Sequence, residues 1–142
     1  GLSNRILNVR HFDDIIETAK TGDLRNVDLF IDDISRERME NLPPYITASN
    51  FGKISDLVSH GDLALGIINL VFQTIGVISV FASKIVDTKH VVLTGNLTSV
   101  PQAKDIFGII EKLYKIRFII PEYSEYATAT GAALFYKKTG KE

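Results

Sequence analysis

A run without charged side chains, from Leu63 to Ser83, constrains this chain more than any other feature. Its apolar residues fall on most sides of a helix, and a helix of that kind is buried either in protein or in a membrane. About 20 apolar residues are enough to span a bilayer. The run nevertheless holds Asn69, Gln73, Thr74, Ser79 and Ser83, with Gly66 and Gly76. At helical spacing Asp62, Gly66, Asn69, Gln73, Gly76 and Ser83 share one stripe that is small or polar throughout. Such a stripe lets another backbone approach closely. Burial in protein is therefore expected, and no membrane partner.

The residues after the run alternate between strand and helix. Asp87-Thr88-Lys89 is a break, and His90 to Thr94 is an apolar strand ending at Gly95-Asn96. Ser99 with Gln102 three residues on predicts a capping box, and Pro101 suits a first helical turn. Ile106, Ile109, Ile110, Leu113 and Tyr114 give that helix an apolar face. Arg117 to Ile120 is a second strand, stopped by Pro121. A last helix is expected from Ser124 or Glu125 through Lys137, with Lys137, Lys138 and Lys141 at the negative end of its dipole. Helix, strand, helix, strand, helix in this order predicts an α/β core over 61–142 with parallel strands and right-handed crossovers.

Residues 1–60 read as mainly helical. Leu2, Ile6 and Leu7 repeat at helical period, as do Phe12, Ile15, Ile16 and Ala19, with a break at Asn8-Val9. Gly22 is placed to end the second helix. Asp23 is placed to cap a third over Leu24 to Ile34, with Val27, Phe30, Ile31 and Ile34 on one face. The charged stretch from Ser35 to Asn41 is expected to be exposed, and Pro43-Pro44 stops any helix there. Tyr45 to Ser49 is β-prone, Asn50-Phe51-Gly52 reads as a loop, and a weak helix is expected over Lys53 to Ser59. His60-Gly61 reads as a turn, with Asp62 capping the long helix.

Composition narrows the function classes. A chain of 142 residues defaults to one domain and is long enough for a sizeable core. The formal net charge of −1 offers no basic surplus for nucleic acid. There are no cysteines, which excludes disulfides, thiolate catalysis and cysteine zinc sites, and fits a reducing compartment. No signal peptide is expected at Gly1. His11, His60 and His90 are too scattered to suggest a metal site. Asp13-Asp14 and Asp32-Asp33, as neighbours on helices, point to different sides and make no catalytic pair.

Three stretches carry candidate chemistry. Gly95, at the carboxyl end of a buried strand and before a helix start, is where α/β sheets bind ligands and anions. It reads equally as a plain tight turn. Thr47 to Gly52 mixes hydroxyls, an amide and a glycine, as a polar-ligand loop does, or as a capped turn does. Ala127 to Ala133 is dense in small residues, and Gly131 in mid-helix is expected to reflect close packing.

Several of these segments together resemble the C-terminal half of a type II (eukaryotic-type) pantothenate kinase. That family belongs to the actin, sugar kinase and heat-shock ATPase superfamily. The resemblance covers nearly the whole chain. Gly1-Leu2-Ser3 with Leu7 is similar to the segment that follows the family's GGGT phosphate loop. Gly22-Asp23, Val27-Asp28, Asp33-Ile34, Ala48-Ser49-Asn50-Phe51-Gly52, Val91 to Asn96, and Glu125 with Thr130 to Leu134 also match. The fold implied is the C-terminal subdomain of the actin-like (ribonuclease H-like) ATPase fold, so that 1–142 is a single partial domain. The function implied is ATP-dependent phosphorylation of pantothenate, the first step of coenzyme A biosynthesis, with Mg²⁺ assistance.

The resemblance places Gly95 and Asn96 on the adenosine side of the ATP cleft. It places Thr47, Ala48 and Ser49 beside the pantothenate or acyl-CoA arm, with acyl-CoA as a feedback ligand. It implies a cytoplasmic homodimer that pairs through this half. It puts the catalytic acid, the substrate arginine and the phosphate loops before Gly1, so no catalytic or metal-binding residue is expected in these residues, and no kinase activity from this chain alone. Where relatives carry a YGGDY stretch, this chain has Ser35-Arg36-Glu37-Arg38-Met39, which removes its aromatics from the substrate side. Two other readings stay open: a non-catalytic nucleotide-binding or dimerisation module of the same fold, and a related kinase with another small alcohol as substrate.

Overall fold

The charge-free run folds as one helix of 26 residues, His60–Ile85, within a computed structural model that describes residues 1–35, 37 and 42–140. By length and apolar composition alone this helix could cross a membrane. Its polar stripe is instead turned inward, with Asp62, Asn69 and Ser83 all buried.

The chain divides into two compact units, Gly1–Gly76 and Val77–Glu142, with the division inside the long helix. In the first, Leu2–Leu7 (α1) and Phe12–Ala19 (α2) are separated as expected, because Asn8 takes a left-handed conformation (φ 55°). The expected third helix does not form. Asp23 does cap, accepting the Arg25 N–H at 2.9 Å, but only a single 3₁₀ turn, Leu24–Asn26, follows. The chain then extends as a strand, Leu29–Phe30 (β1), before one helical turn, Ile31–Ile34 (α3). Val27 and Asp28, in the turn between that 3₁₀ segment and β1, are both 0% exposed. Ile34, assigned to the apolar face of that helix, stays exposed.

β1 pairs antiparallel with Thr47–Ser49 (β2), Leu29 opposite Ser49 and Phe30 opposite Thr47. The expected helix over Lys53 to Ser59 is a series of turns with Leu57 95% exposed. Four charged or polar residues over that stretch and no apolar periodicity leave it nothing to bury. Of the Ser35 to Asn41 stretch, Arg36 and the residues 38–41 lie outside the described residues, as does Lys141.

The long helix, α4, starts three residues earlier than expected, and His60-Gly61 is its first turn rather than a turn before it. Ser59 precedes it and Asp62 is its third residue, and the two exchange hydrogen bonds: the Asp62 N–H donates to Ser59 Oγ and the Ser59 N–H to Asp62 Oδ2, each at 3.1 Å. This is the reciprocal capping box. The apolar core of this unit is Leu7, Ile15, Ala19, Val27, Phe30, Ala64, Ile67, Ile68 and Phe72.

The second unit holds the rest of α4, then His90–Val92 (β3), Gln102–Tyr114 (α5), Arg117–Ile119 (β4) and Ala127–Thr139 (α6). β3 and β4 pair in parallel, as the alternation predicts, with Val91 opposite Phe118. Ala103, Ile106, Phe107 and Ile110 are the buried face of α5 and, with Val80 and Val100, the buried apolar residues of this unit; Ile109, expected there, is exposed. The Phe107 and Phe118 rings lie 4.6 Å apart, tying α5 to β4. The Ser99–Gln102 capping box is absent. A 3₁₀ turn, Asn96–Ser99, intervenes, and the Ser99 hydroxyl donates to the Asn96 carbonyl at 2.7 Å instead. α6 begins after a further 3₁₀ turn, Ser124–Tyr126, and contains no buried residue. Gly131 has open space where a Cβ would stand, so close packing within this chain does not account for it.

Candidate functional site

Two sequence-predicted segments end up in two different places, one in each unit. In the first, Thr47 stands at the rim of a polar cluster centred on Asp28. The Asp28 carboxylate accepts the Asn69 Nδ2–H at 2.7 Å, the Phe51 backbone N–H at 2.8 Å and the Asn50 Nδ2–H at 3.2 Å. Three donors suit a buried carboxylate, which is costly to desolvate without them. One of them also steadies strain, because Phe51 sits at φ 57°, a left-handed conformation unusual for an aromatic residue.

The cluster reaches outward along α4. Asn69 Nδ2 also points to Thr47 Oγ1 at 3.4 Å, and Asn50 Nδ2 to Gln73 Oε1 at 3.5 Å. Asn69 and Gln73 are one helical turn apart, so both face the loop after β2. Gly66 leaves room beside them: a Cβ there would press on Val27 and the Phe51 ring at 3.1 and 3.4 Å. The Asp62–Gln73 part of the small stripe is therefore used within the chain. Thr47, Asn50 and Gln73 are half-buried, Ala48 and Ser49 exposed. Of the three residues predicted beside a substrate, only Thr47 joins the cluster. Asn50 lies in the candidate polar loop, whereas Asp28, Asn69 and Gln73 are not among the expected site residues, although Asn69 and Gln73 are legible as polar positions on an otherwise apolar helix.

A cationic surface adjoins β1. Phe30 has the Arg25 guanidinium 4.8 Å and the Lys53 ammonium 5.9 Å from its ring centre. Lys53 pairs with Asp33 at 2.6 Å and Arg25 with Asp32 at 3.0 Å. The Lys53 contact, with the Phe30 N–H, holds the Asp33 carboxyl below its usual range. Each cation is thus already neutralised by a carboxylate.

In the second unit Gly95 forms the predicted turn. Its φ of 97° with ψ of 171° is open only to glycine. Its N–H donates to the Ser124 carbonyl at 2.9 Å, and its carbonyl accepts both the Thr98 N–H at 3.0 Å and the Thr98 hydroxyl at 2.7 Å. The Thr98 proton being spent there, the 2.7 Å contact between the Thr98 and Ser124 hydroxyls must have Ser124 as donor. The backbone polar groups of Gly95 therefore hold the turn, and what is offered outward is its bare Cα face and the exposed Asn96. Next to it a cleft of about 490 Å³ is lined by Thr98, Ser99, Val100, Pro101, Lys104, Phe118 and Ile120. Among these lining residues Lys104 carries the one charge, and the Thr98 and Ser99 hydroxyl protons are already given to the Gly95 and Asn96 carbonyls. Among the described residues no three His, Asp or Glu side chains gather to hold a metal ion.

These features define an α/β protein, mostly helical, with a glycine turn at the end of a parallel strand and a buried polar cluster beside a short antiparallel strand pair. The chain belongs to the Fumble family, whose model matches residues 1–134. It is similar to proteins named type II pantothenate kinase. That of Bacillus cereus (strain G9842) is 25% identical over 133 residues, covering 92% of this chain and 44% of the relative. That of Oceanobacillus iheyensis is 28% identical over 137 residues, covering 94% and 52%. That of Bacillus thuringiensis subsp. konkukian (strain 97-27) is 27% identical over 99 residues, covering 68% and 36%. The chain thus spans about half or less of the length of these curated relatives.

Proposed function

We propose that these residues are the C-terminal half of an ATP-dependent pantothenate kinase with the actin-like ATPase fold. The carrying observation is the family match over residues 1–134, with relatives named type II pantothenate kinase aligned over as much as 94% of the chain. In this reading the chain forms a partial domain that contributes to two subsites. The open Gly95 face and Asn96 lie on the adenosine side of the ATP cleft. The Thr47–Ser49 strand lies beside the pantothenate or acyl-CoA arm, with acyl-CoA as a feedback ligand.

Phosphoryl transfer is positioning plus charge stabilisation, and the residues described here serve the positioning. Mg²⁺, when bound, would neutralise charge on the transferred phosphate. Among the described residues no three carboxylates gather, and Mg²⁺ would be held through the ATP phosphates with one or two carboxylates. The homodimer is supported by an exposed apolar stripe on the second part of α4, where Ile78, Phe81 and Ile85 are 63%, 59% and 84% exposed at helical spacing. A cytoplasmic location fits a chain without cysteines.

The test is a kinase assay on the intact gene product with ATP and pantothenate, beside the isolated 142-residue chain. Turnover by the intact protein and none by the isolated chain is expected. Turnover of another small alcohol in place of pantothenate would sink the substrate assignment.

A further inference from the structure

The polar cluster around Asp28 has a direction, and that direction selects a ligand. A carboxylate accepts hydrogen bonds and does not donate them. Asn50 and Asn69 both meet Asp28, so each must turn its NH₂ group toward it. An NH₂ group has two hydrogens, and both amides use the second one outward. Asn69 gives it to Thr47 Oγ1, and Asn50 gives it to Gln73 Oε1. Thr47 therefore receives at its oxygen and has its O–H left to give. Gln73 receives at its carbonyl and has its NH₂ left to give. Two chains of hydrogen bonds start at one buried acceptor and both end, at half-buried positions, in a donor.

We propose that Thr47 and Gln73 act as a donor pair that recognises an acceptor oxygen, carbonyl or carboxylate, of the phosphoryl-acceptor substrate, and that Asp28 is the positioning residue that fixes this polarity. The proposal rests on the reading of the Thr47–Ser49 strand as the substrate side. It adds Gln73 and Asp28, and it assigns a sign to the contact. A carboxylate sealed at 0% exposure cannot be turned by a ligand, so the two outer groups are preset as donors before anything binds. Preset donors discriminate strongly against a ligand that brings its own donor, because a buried donor is then left without an acceptor.

The test uses the intact gene product, with pantothenate as the varied substrate at saturating ATP. Gln73→Glu keeps the size and the oxygen facing Asn50 but replaces the outward NH₂ by an acceptor. It is expected to raise the KM for pantothenate about tenfold or more, with kcat and the KM for ATP within about twofold. Thr47→Val is expected to act the same way, and Thr47→Ser, which restores a hydroxyl, to recover most of the loss. N-propyl pantoamide, which keeps the amide carbonyl and has no carboxyl group, separates the two oxygens: a penalty that persists points to the amide carbonyl, one that disappears points to the carboxylate. Pantothenate KM values within twofold of wild type for both Gln73→Glu and Thr47→Val overturn the proposal. A fall in thermal stability with equal losses for ATP and pantothenate also overturns it, since that is what a purely structural role gives. Wild-type protein that does not phosphorylate pantothenate is a different result: it overturns the kinase reading, and this proposal with it.

Discussion

The Asp62 carboxylate, in the first turn of α4, accepts the backbone N–H of Asp23 at 2.6 Å. The same carboxylate takes the Ser59 N–H at 3.1 Å and the Asn26 Nδ2–H at 3.3 Å. One side chain thus caps the long helix and pins the turn that leads into the buried Val27–Asp28 pair. Asp62→Ala removes both functions and leaves the Asp23 N–H without its acceptor. A loss of about 2 kcal/mol is expected, from the cap and the unpaired donor together. Urea unfolding would measure it as a lower midpoint at unchanged slope. A loss below about 0.5 kcal/mol would mean that this contact does not anchor the helix.

The same geometry makes stability depend on acid. The Asp23 N–H, with help from Ser59 and Asn26, holds the Asp62 carboxyl below its usual range against the opposing effect of burial. Asp33 is lowered as well, by Lys53 first. A carboxyl lowered in the folded state contributes stability above its unfolded value, about 3.9. That contribution fades as pH falls through the unfolded value toward the lowered folded one. Stability should therefore be flat from neutral pH to about 5 and decline below it. Asp62→Asn, which cannot ionise, should show a shallower decline in urea titrations at stepped pH. An unchanged slope in that variant would remove Asp62 from the explanation.

Gly22 tests the same junction by bulk. A Cβ at Gly22 would collide with the carbonyl oxygen of Gly61 and come within 3.0 Å of the Asp62 nitrogen. Both neighbours are backbone at the start of α4 and cannot swing aside. Gly22→Ala should cost about 3 kcal/mol through displaced backbone, as overpacking does. The thermal midpoint of the variant reports it, and a midpoint equal to wild type would show that the turn can shift freely.

What could be read from the sequence divides along a physical line. Periodicity marked the helices α1, α2 and α5, the charge-free run marked α4, and the alternation of strand and helix marked the parallel pair β3 and β4, because each is a local property. The Leu24 to Ile34 segment misled because its apolar residues fit a helical face equally well. Only the tertiary structure settles it, by burying Val27 and Asp28 together and pairing Leu29 with Ser49. The site followed the same rule. Gly95 was legible as a turn, since a glycine after an apolar strand has few uses. Thr47 was legible as part of a polar loop, and its place beside a substrate came only through resemblance. Asn69 and Gln73 were visible as a polar stripe, but that they face Asp28 and Asn50 from 41 and 23 residues away is not a local property.

Two glycines of the second unit should respond to alanine with opposite signs. At Gly95 the backbone lies at φ 97°, while nothing stands within 4 Å of the added Cβ. The penalty there is conformational strain alone, about 1–3 kcal/mol. At Gly131 the backbone is helical and the site is again open. Alanine there removes the cost of glycine in a helix interior and should stabilise by about 1 kcal/mol. Thermal unfolding of both variants in the isolated chain decides the first comparison. Repeating Gly131→Ala in the intact gene product asks a second question with the same substitution. A gain there as well means that this face of α6 stays in solvent. A loss means that a neighbouring segment packs against the row formed by Ala127, Gly131 and Leu134, the close approach for which a mid-helix glycine is suited.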